Sequence, residues 1–337
     1  MTDLATATQA ALEGELPGAR GDLSHGVLNA LRHPAGAQLP DPGSARSADP
    51  FGDDLQLALY ISYELHYRGF SGVDPAWEWD PGLLGLRAAM ERRFLQELRD
   101  RTAGHPDVHD AMDELLVEPV EGTGVSYFLK DEGQLWHLRE YAAMRSLYHL
   151  KEADPHAWVI PRLHGRAKAA FVAVEFDEFG GGRAERVHAR LFADLMADLG
   201  LDPAYGRYLD AAPAEMLANV NLMSLLGLHR AHRGALVGHF ATVEVTSSPG
   251  SRRLAEAMRR TGAGPAAEHF YAEHVTADAV HEQIVRRDVI GGLLADEPAL
   301  APDVAFGIAA TTWLEDRLGD RLMAAWRDGS TSLRTPL

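Results

Sequence analysis

The run HVTADAVH contains the sharpest arrangement of chemically active side chains in the sequence. His274, Asp278 and His281 follow one another at spacings of four and three positions. At about 100° per residue, a helix places these three side chains within a wedge of about 60° on one face. Phe270 and Val285 fall on or near that face, so the polar groups point into packing rather than into water.

Two imidazoles and a carboxylate are costly to bury unless they pair with one another or coordinate a metal. The run therefore predicts a metal site. The alternatives are an exposed His/Asp face and a His–Asp hydrogen bond without a chemical role. HxxxDxxH is a short pattern in a chain with 16 histidines. The choice between a metal site and these alternatives therefore depends on other polar residues at apolar positions.

His188 and Glu152 are two such residues. His188 lies on the apolar stripe of a helix predicted over residues 184–199, and Glu152 shares a helix face with Tyr141 and Tyr148. The alternative for His188 is a core histidine with ordinary hydrogen bonds.

An acidic segment, EFDE, ends at Glu178 and is followed by three glycines at 180–182. Glycine adopts backbone conformations that other residues avoid, so this turn would let Glu178 and His188 converge on one point. The alternative is an ordinary acidic end of a helix.

Three histidines and three carboxylates on three helical segments suit a carboxylate-bridged pair of iron or manganese ions. Carboxylates bridge hard, redox-active ions, and neutral imidazoles complete each coordination sphere while leaving room for O2. The chain has no cysteine, which excludes disulfides, thiolate nucleophiles, Fe–S clusters and Cys-ligated zinc.

These segments resemble the haem-oxygenase-like diiron oxidases, a family also labelled iron-containing redox enzymes. The resemblance covers roughly residues 131–325 and rests on KEADP, FDEFGGGRAERVHARLF and HVTADAVH. It implies six metal ligands: Glu152, Glu178, His188, His274, Asp278 and His281.

The family's order of ligands fits the spacings in this chain. Asp177 competes with Glu178 for the second position, and Glu178 is preferred because its spacing to His188 fits better. The resemblance assigns Glu152 and His188 to one ion and His274 with Asp278 to the other. Glu178 and His281 complete the pair, and the exact division between the ions stays open.

The implied function is O2 activation by two Fe(II) ions, through a peroxo-diferric species, or with manganese in place of one iron. The implied substrate is a small molecule, an amino acid or amine derivative in a biosynthetic pathway. It would undergo N-oxygenation, hydroxylation or oxidative C–C cleavage, with electrons from an external donor. The alternatives are a non-catalytic helical binding protein of the same fold and a haem-binding relative.

The elements around these residues are predicted to be helical throughout, which gives an all-α fold. The resemblance implies a haem-oxygenase-like bundle of about seven core helices over residues 131–330. Residues 1–50 are predicted to be mostly flexible, with one short helix near their start, and residues 51–130 to form an auxiliary helical lobe. This lobe resembles the dimer-forming lobe of some relatives, which implies a homodimer. Two of the predicted helices span 214–240 and 251–261.

Length and charge limit the remaining possibilities. The 337 residues suffice for one large domain or two ordinary ones. The charge balance of 32 − 49 = −17 argues against nucleic-acid and anionic-membrane partners, which need a cationic face. No secretory signal is visible, and the longest apolar stretch falls short of the roughly 18–20 residues of a membrane helix. We therefore expect a soluble, cytoplasmic protein.

Overall fold

The computed structural model describes residues 13–104, 106–117 and 122–337, with only the backbone of residues 276–279. Regular structure in these ranges is helical, and the sole β-pairing there is an isolated bridge between Gly14 and Phe70. The predicted all-α class is confirmed. None of the helices described is both long and apolar enough to cross a membrane.

The chain divides into two compact units. The first comprises residues up to Arg101 together with Ala204–Asn221 and Leu333–Leu337. Its helices are α1 (Asp22–Leu31), α2 (Ser44–Ser47), α3 (Asp53–Glu64) and α4 (Pro81–Arg101).

Helix α1 lies in the segment that was predicted to be mostly flexible. Its apolar residues recur at helical spacing, and Leu23, Val27 and Leu31 are buried. The Asp54 carboxylate caps its first turn by accepting hydrogen bonds from the backbone N–H groups of Leu23 and Ser24, at 3.0 and 2.7 Å. Burial and capping together fix this helix, so the flexible-segment prediction does not hold for residues 22–31. Residues 1–12 lie outside the described part of the chain.

The second unit comprises Thr102–Pro203 and Leu222–Ser332. Its helices begin with α5 (Val108–Leu115), α6 (Val125–Asp131), α7 (Leu135–His149), α8 (Asp154–Ala157), α9 (Gly165–Glu178) and α10 (His188–Asp198). After α11 (Ala214–Leu228), which crosses from the first unit, come α12 (Arg233–Thr261), α13 (Pro265–Ile284), α14 (Gly291–Asp296) and α15 (Ala301–Arg327). A π-helical segment, Val285–Ile290, joins α13 to α14.

Helix α12 is the centre of this unit, because it packs against both α13 and α15. Gly238 and Gly307 permit the close approach of α12 and α15, since a Cβ atom at either glycine would overlap the backbone of the other helix. Helices α5 and α6 also pack on α12 and α15. This unit therefore begins at Thr102, ahead of the boundary at residue 130 that the sequence suggested.

Candidate metal centre

Glu152 follows helix α7 in a tight turn. Ala153 adopts φ 73° and ψ −31°, a left-handed conformation that costs a residue with a side chain about 1–3 kcal/mol. Pro155 then lies in the first turn of α8. The turn leaves the Glu152 carboxylate buried, with one oxygen 2.9 Å from Nδ1 of His149.

Glu178 is the last residue of α9 and His188 is the first residue of α10. Between them Gly180, Gly181 and Gly182 all have positive φ, which makes the chain double back within a few residues. As a result Nδ1 of His188 lies 2.6 Å from Oε2 of Glu178. The structure brings these two residues together as the glycine turn predicted.

We predict that Gly180→Ala weakens metal binding by moving Glu178 relative to His188. An added Cβ would lie 2.6 Å from the backbone nitrogen of Val187, at a φ of 75° that L residues rarely adopt. Iron titration of Gly180→Ala should show affinity reduced at least about tenfold, which is a loss of about 1.4 kcal/mol. Gly329→Ala, at an exposed turn with the same sign of φ and no atom within 4 Å, is the control. Equal iron affinities for both variants would contradict the positional role of the turn.

Helix α13 supplies His274 and His281. Nδ1 of His274 lies 2.7 Å from the carbonyl oxygen of Phe270, and a carbonyl only accepts, so Nδ1 carries the hydrogen. The lone pair is then on Nε2, which points towards Glu152 at 3.9 Å. A histidine held through its other nitrogen in this way is the usual state of a metal ligand.

His281 lies among three carboxylates. Its Nδ1 is 3.1 Å from Glu244 and 3.7 Å from Glu178, and its Nε2 is 3.2 Å from Asp177. When Nε2 donates its hydrogen to Asp177, Nδ1 keeps a lone pair directed at Glu178 and Glu244. The Asp177 side chain is 59% exposed, so it suits an orienting role better than a place inside the centre.

The ligand atoms form two overlapping groups among the described residues. In group A, one atom from each of Glu152, Glu178, His188 and His274 lies within 4.8 Å of the others. In group B the same holds for Glu178, Glu244 and His281. All of these residues are buried, and Glu178 belongs to both groups. A carboxylate shared in this way can bridge two ions.

The grouping differs in one respect from the division implied by resemblance, because His274 lies with Glu152 and His188. His274 and His281 share a helix face but are seven residues apart, a rise of about 10.5 Å along the axis. They therefore reach different groups. The Asp278 side chain lies outside the described part of the structure, so its predicted role as a ligand stays a prediction.

Glu244 is the functional candidate that sequence reasoning missed. It lies on α12, is 6% exposed and faces His281. The sequence predicted separate helices over 214–240 and 251–261, whereas α12 begins at Arg233 and continues through Pro249 to Thr261. A single acidic residue in the apolar run HFATVEV was the available signal.

Comparison with known proteins identifies the family. Residues 139–316, more than half of the chain, match the family model described as iron-containing redox enzyme. This chain belongs to that family. All residues of groups A and B lie within the matched range, and the family predicted from the sequence motifs is confirmed.

One curated relative of this iron-containing redox enzyme is a nitrosourea synthase from Streptomyces achromogenes subsp. streptozoticus. The two chains are 24% identical over 189 residues, which make up 55% of this chain and 40% of the relative. The match thus covers less than half of the length of that relative. Membership of this family makes the protein an oxidoreductase.

The charges of the centre fit bound cations. Oε2 of Glu152 and both carboxylate oxygens of Glu175 are buried and have no hydrogen-bond partner among the described residues. Burial, with the neighbouring carboxylates of Glu178 and Glu244, raises the pKa of Glu175 to about 9. Protonation of Glu175 or nearby positive charge offsets the cost of burying so many carboxyl groups together, and bound cations would supply that charge.

Contacts between histidines and carboxylates shift the pKa values of two of the candidate ligands. Burial opposes the charged form of Glu152, but His149 and His274 hold the pKa of this carboxyl well below its usual value. Burial also opposes protonation of His188, yet contact with Glu178 leaves the pKa of His188 raised. A bound metal ion would take the place of that proton.

A cavity of about 630 Å³ opens beside group A. Its wall includes Glu152, Glu178 and His274, together with Tyr148 and Tyr271. The pKa of Tyr148 is raised well above its usual value by burial and by nearby carboxylates, Glu152 first among them. The volume is in the range of sites for small molecules.

Proposed function

We propose that this iron-containing redox enzyme is a non-haem diiron oxygenase that uses O2 to oxidise a small nitrogen-containing molecule, an amino acid or amine derivative. The observation that carries the proposal is the position of Glu178 in both ligand groups. A carboxylate shared by two buried sets of His and Glu ligands supports a dinuclear centre rather than two separate sites.

The type of ligand supports iron. Imidazole and carboxylate suit Fe(II) and Mn(II), and no sulfur ligand is available to select softer ions, since the chain contains no cysteine. The family description supports iron in particular. A mixed manganese–iron pair would use the same donors. When bound, the two ions supply the electrons and Lewis acidity that activate O2.

The protein's own residues bind and orient the reactants. Glu152, His188 and His274 would hold one ion and Glu244 with His281 the other, with Glu178 available to both. Burial of these side chains excludes bulk water and limits side reactions of the activated oxygen. The cavity beside group A lets a small molecule approach one side of the centre.

The proposed substrate class rests on the relative and on the cavity. The name of the relative, nitrosourea synthase, describes formation of a product with a nitrogen–nitrogen bond by that protein. Oxidation of nitrogen is therefore the first reaction to test here. An oxygenase that transfers one atom of O2 must reduce the other to water with two electrons and two protons. We therefore also propose an external electron donor.

Isotope labelling tests this proposal. The iron-loaded protein is mixed with a chemical reductant, a panel of amino acids and amines, and ¹⁸O2, and products are analysed by mass spectrometry. We expect an oxidised product that carries one ¹⁸O atom, and no product from His188→Ala. O2 consumption without label in any product, or no O2 consumption, would contradict the oxygenase. A Soret band after haem addition would instead favour the haem-binding alternative.

A further inference from the structure

The hydroxyl group of Tyr271 is a buried polar group to which the metal centre gives no role. Tyr271 is 3% exposed and lines the cavity. Its hydroxyl oxygen has no hydrogen-bond partner among the described residues. An unsatisfied buried hydroxyl is costly, so its presence in a cavity wall points to a ligand.

Arg145 presents a second such group in the same cavity. Its two terminal nitrogens bind the Glu315 carboxylate at 2.8 and 2.5 Å. This bidentate pair fixes the plane of the guanidinium group. The remaining Nε–H is buried and has no partner in the described part of the chain, and both Arg145 and Glu315 line the cavity.

The chemistry of the two groups limits what could satisfy both. An arginine Nε–H only donates, whereas a tyrosine hydroxyl both donates and accepts. One ligand atom bound by both groups must therefore be an acceptor, which means an oxygen atom with lone pairs. Glu315 already neutralises the guanidinium charge, so the site offers two hydrogen bonds to oxygen rather than a free positive charge.

Tyr271 lies close to the candidate metal ligands. Tyr271 precedes His274 by three residues on α13, and residues at this spacing lie on one face with Cβ atoms about 5–6 Å apart. Both line the cavity. A small molecule held at Tyr271 would have the rest of its structure within reach of group A.

We propose that Tyr271 and Arg145 bind an oxygen acceptor of the substrate, a carboxylate or a carbonyl, and so orient its nitrogen-bearing part towards the metal centre. This inference rests on the proposed function for the identity of the molecule as a substrate. The binding step itself requires neither O2 nor turnover. Tyr271 is a substrate-binding residue in this account.

Two sets of matched compounds test the proposal. L-lysine, L-lysinamide and cadaverine form one set, and L-arginine, L-argininamide and agmatine form the other. Within each set the acid, the amide and the amine differ in their oxygen acceptors. Affinities are measured by calorimetry without O2, with Fe(II)-loaded and metal-free protein. We expect the acid, the amide or both to bind at least tenfold more tightly than the amine in one set.

The variant Tyr271→Phe removes a single oxygen atom. We expect it to weaken binding of the preferred acid or amide about 10–100-fold, the range for one hydrogen bond to a charged or strongly polar group, and to leave amine binding unchanged. Without ligand its unfolding temperature should equal or exceed that of the parent, because the lost hydroxyl has no partner. Tyr208→Phe, outside the cavity, is the control.

The acid–amide comparison distinguishes a carboxylate from a carbonyl, and either result supports the proposal. Equal binding of acid, amide and amine, no binding of any of the six compounds, or equal affinities of the parent and Tyr271→Phe would overturn it. A clear drop in the unfolding temperature of Tyr271→Phe would show a structural role instead. If the labelled product forms but Tyr271→Phe binds the compounds like the parent, the proposed oxygenase activity stands and the proposed binding by Tyr271 and Arg145 is rejected. If binding is selective but no O2 is consumed, the proposed binding by Tyr271 and Arg145 stands and the proposed oxygenase activity is rejected.

Discussion

Glu178→Ala should bind no iron ions, whereas His188→Ala and His281→Ala should each retain one. Glu178 belongs to both ligand groups. Its removal therefore takes one ligand from each site and also the carboxylate that the two sites share. His188 belongs only to group A and His281 only to group B. Anaerobic Fe(II) titration of each variant, with iron quantified after gel filtration, measures the number of ions bound per chain.

The control for this series is Glu185→Ala, an exposed acidic residue on the same connection between α9 and α10. It should bind as many ions as the parent. Circular dichroism checks that every variant keeps its helical content. If Glu178→Ala binds two ions per chain, or if His188→Ala and His281→Ala both bind none while folded, the shared-carboxylate arrangement is wrong.

Glu244→Gln should selectively weaken the ion of group B. The amide keeps the size of the side chain but removes its negative charge, and group B then has one carboxylate and one histidine among the described residues. We expect the affinity of the second ion to fall by about 100-fold, at the upper end of the range for altered metal shells. The first ion should bind as in the parent, and O2 consumption should fall at least tenfold.

Stepwise Fe(II) titration with an oxygen electrode measures both effects for Glu244→Gln. Glu256→Gln is the matched control, because Glu256 is an exposed residue of the same helix, α12. Parent-like binding of two ions by Glu244→Gln would show that Glu244 serves His281 only as a hydrogen-bond partner. The second site would then depend on Asp278 in its place.

Local sequence rules predicted a large part of this fold and of the centre. Helical spacing of apolar residues gave the all-α class, and the glycines at 180–182 predicted that Glu178 and His188 converge. Both depend on interactions within one helix or one turn, which short stretches of sequence encode. The family was likewise recognisable, because its motifs combine several ligands at fixed spacings.

The features that sequence reasoning did not predict depend on contacts between distant segments. Glu244 faces His281 only because α12 continues through Pro249, at a Pro-Gly pair that normally marks the end of a helix. His274 approaches Glu152 because the end of α7 lies beside α13, where the rings of His149 and Phe270 are in contact. Rotation about a single helix axis cannot show such a contact. The unit boundary similarly depends on α5 and α6 packing against α12 and α15.

Anaerobic Fe(II) titration of the metal-free protein, followed by rapid mixing with O2 and a visible-absorbance readout, tests the dinuclear centre directly. We expect two iron ions per chain, then consumption of O2 with a transient absorbance band that neither Fe(II) alone nor Glu178→Ala produces. Binding of one ion or none, or two ions that do not react with O2, would contradict a dinuclear oxygen-activating centre.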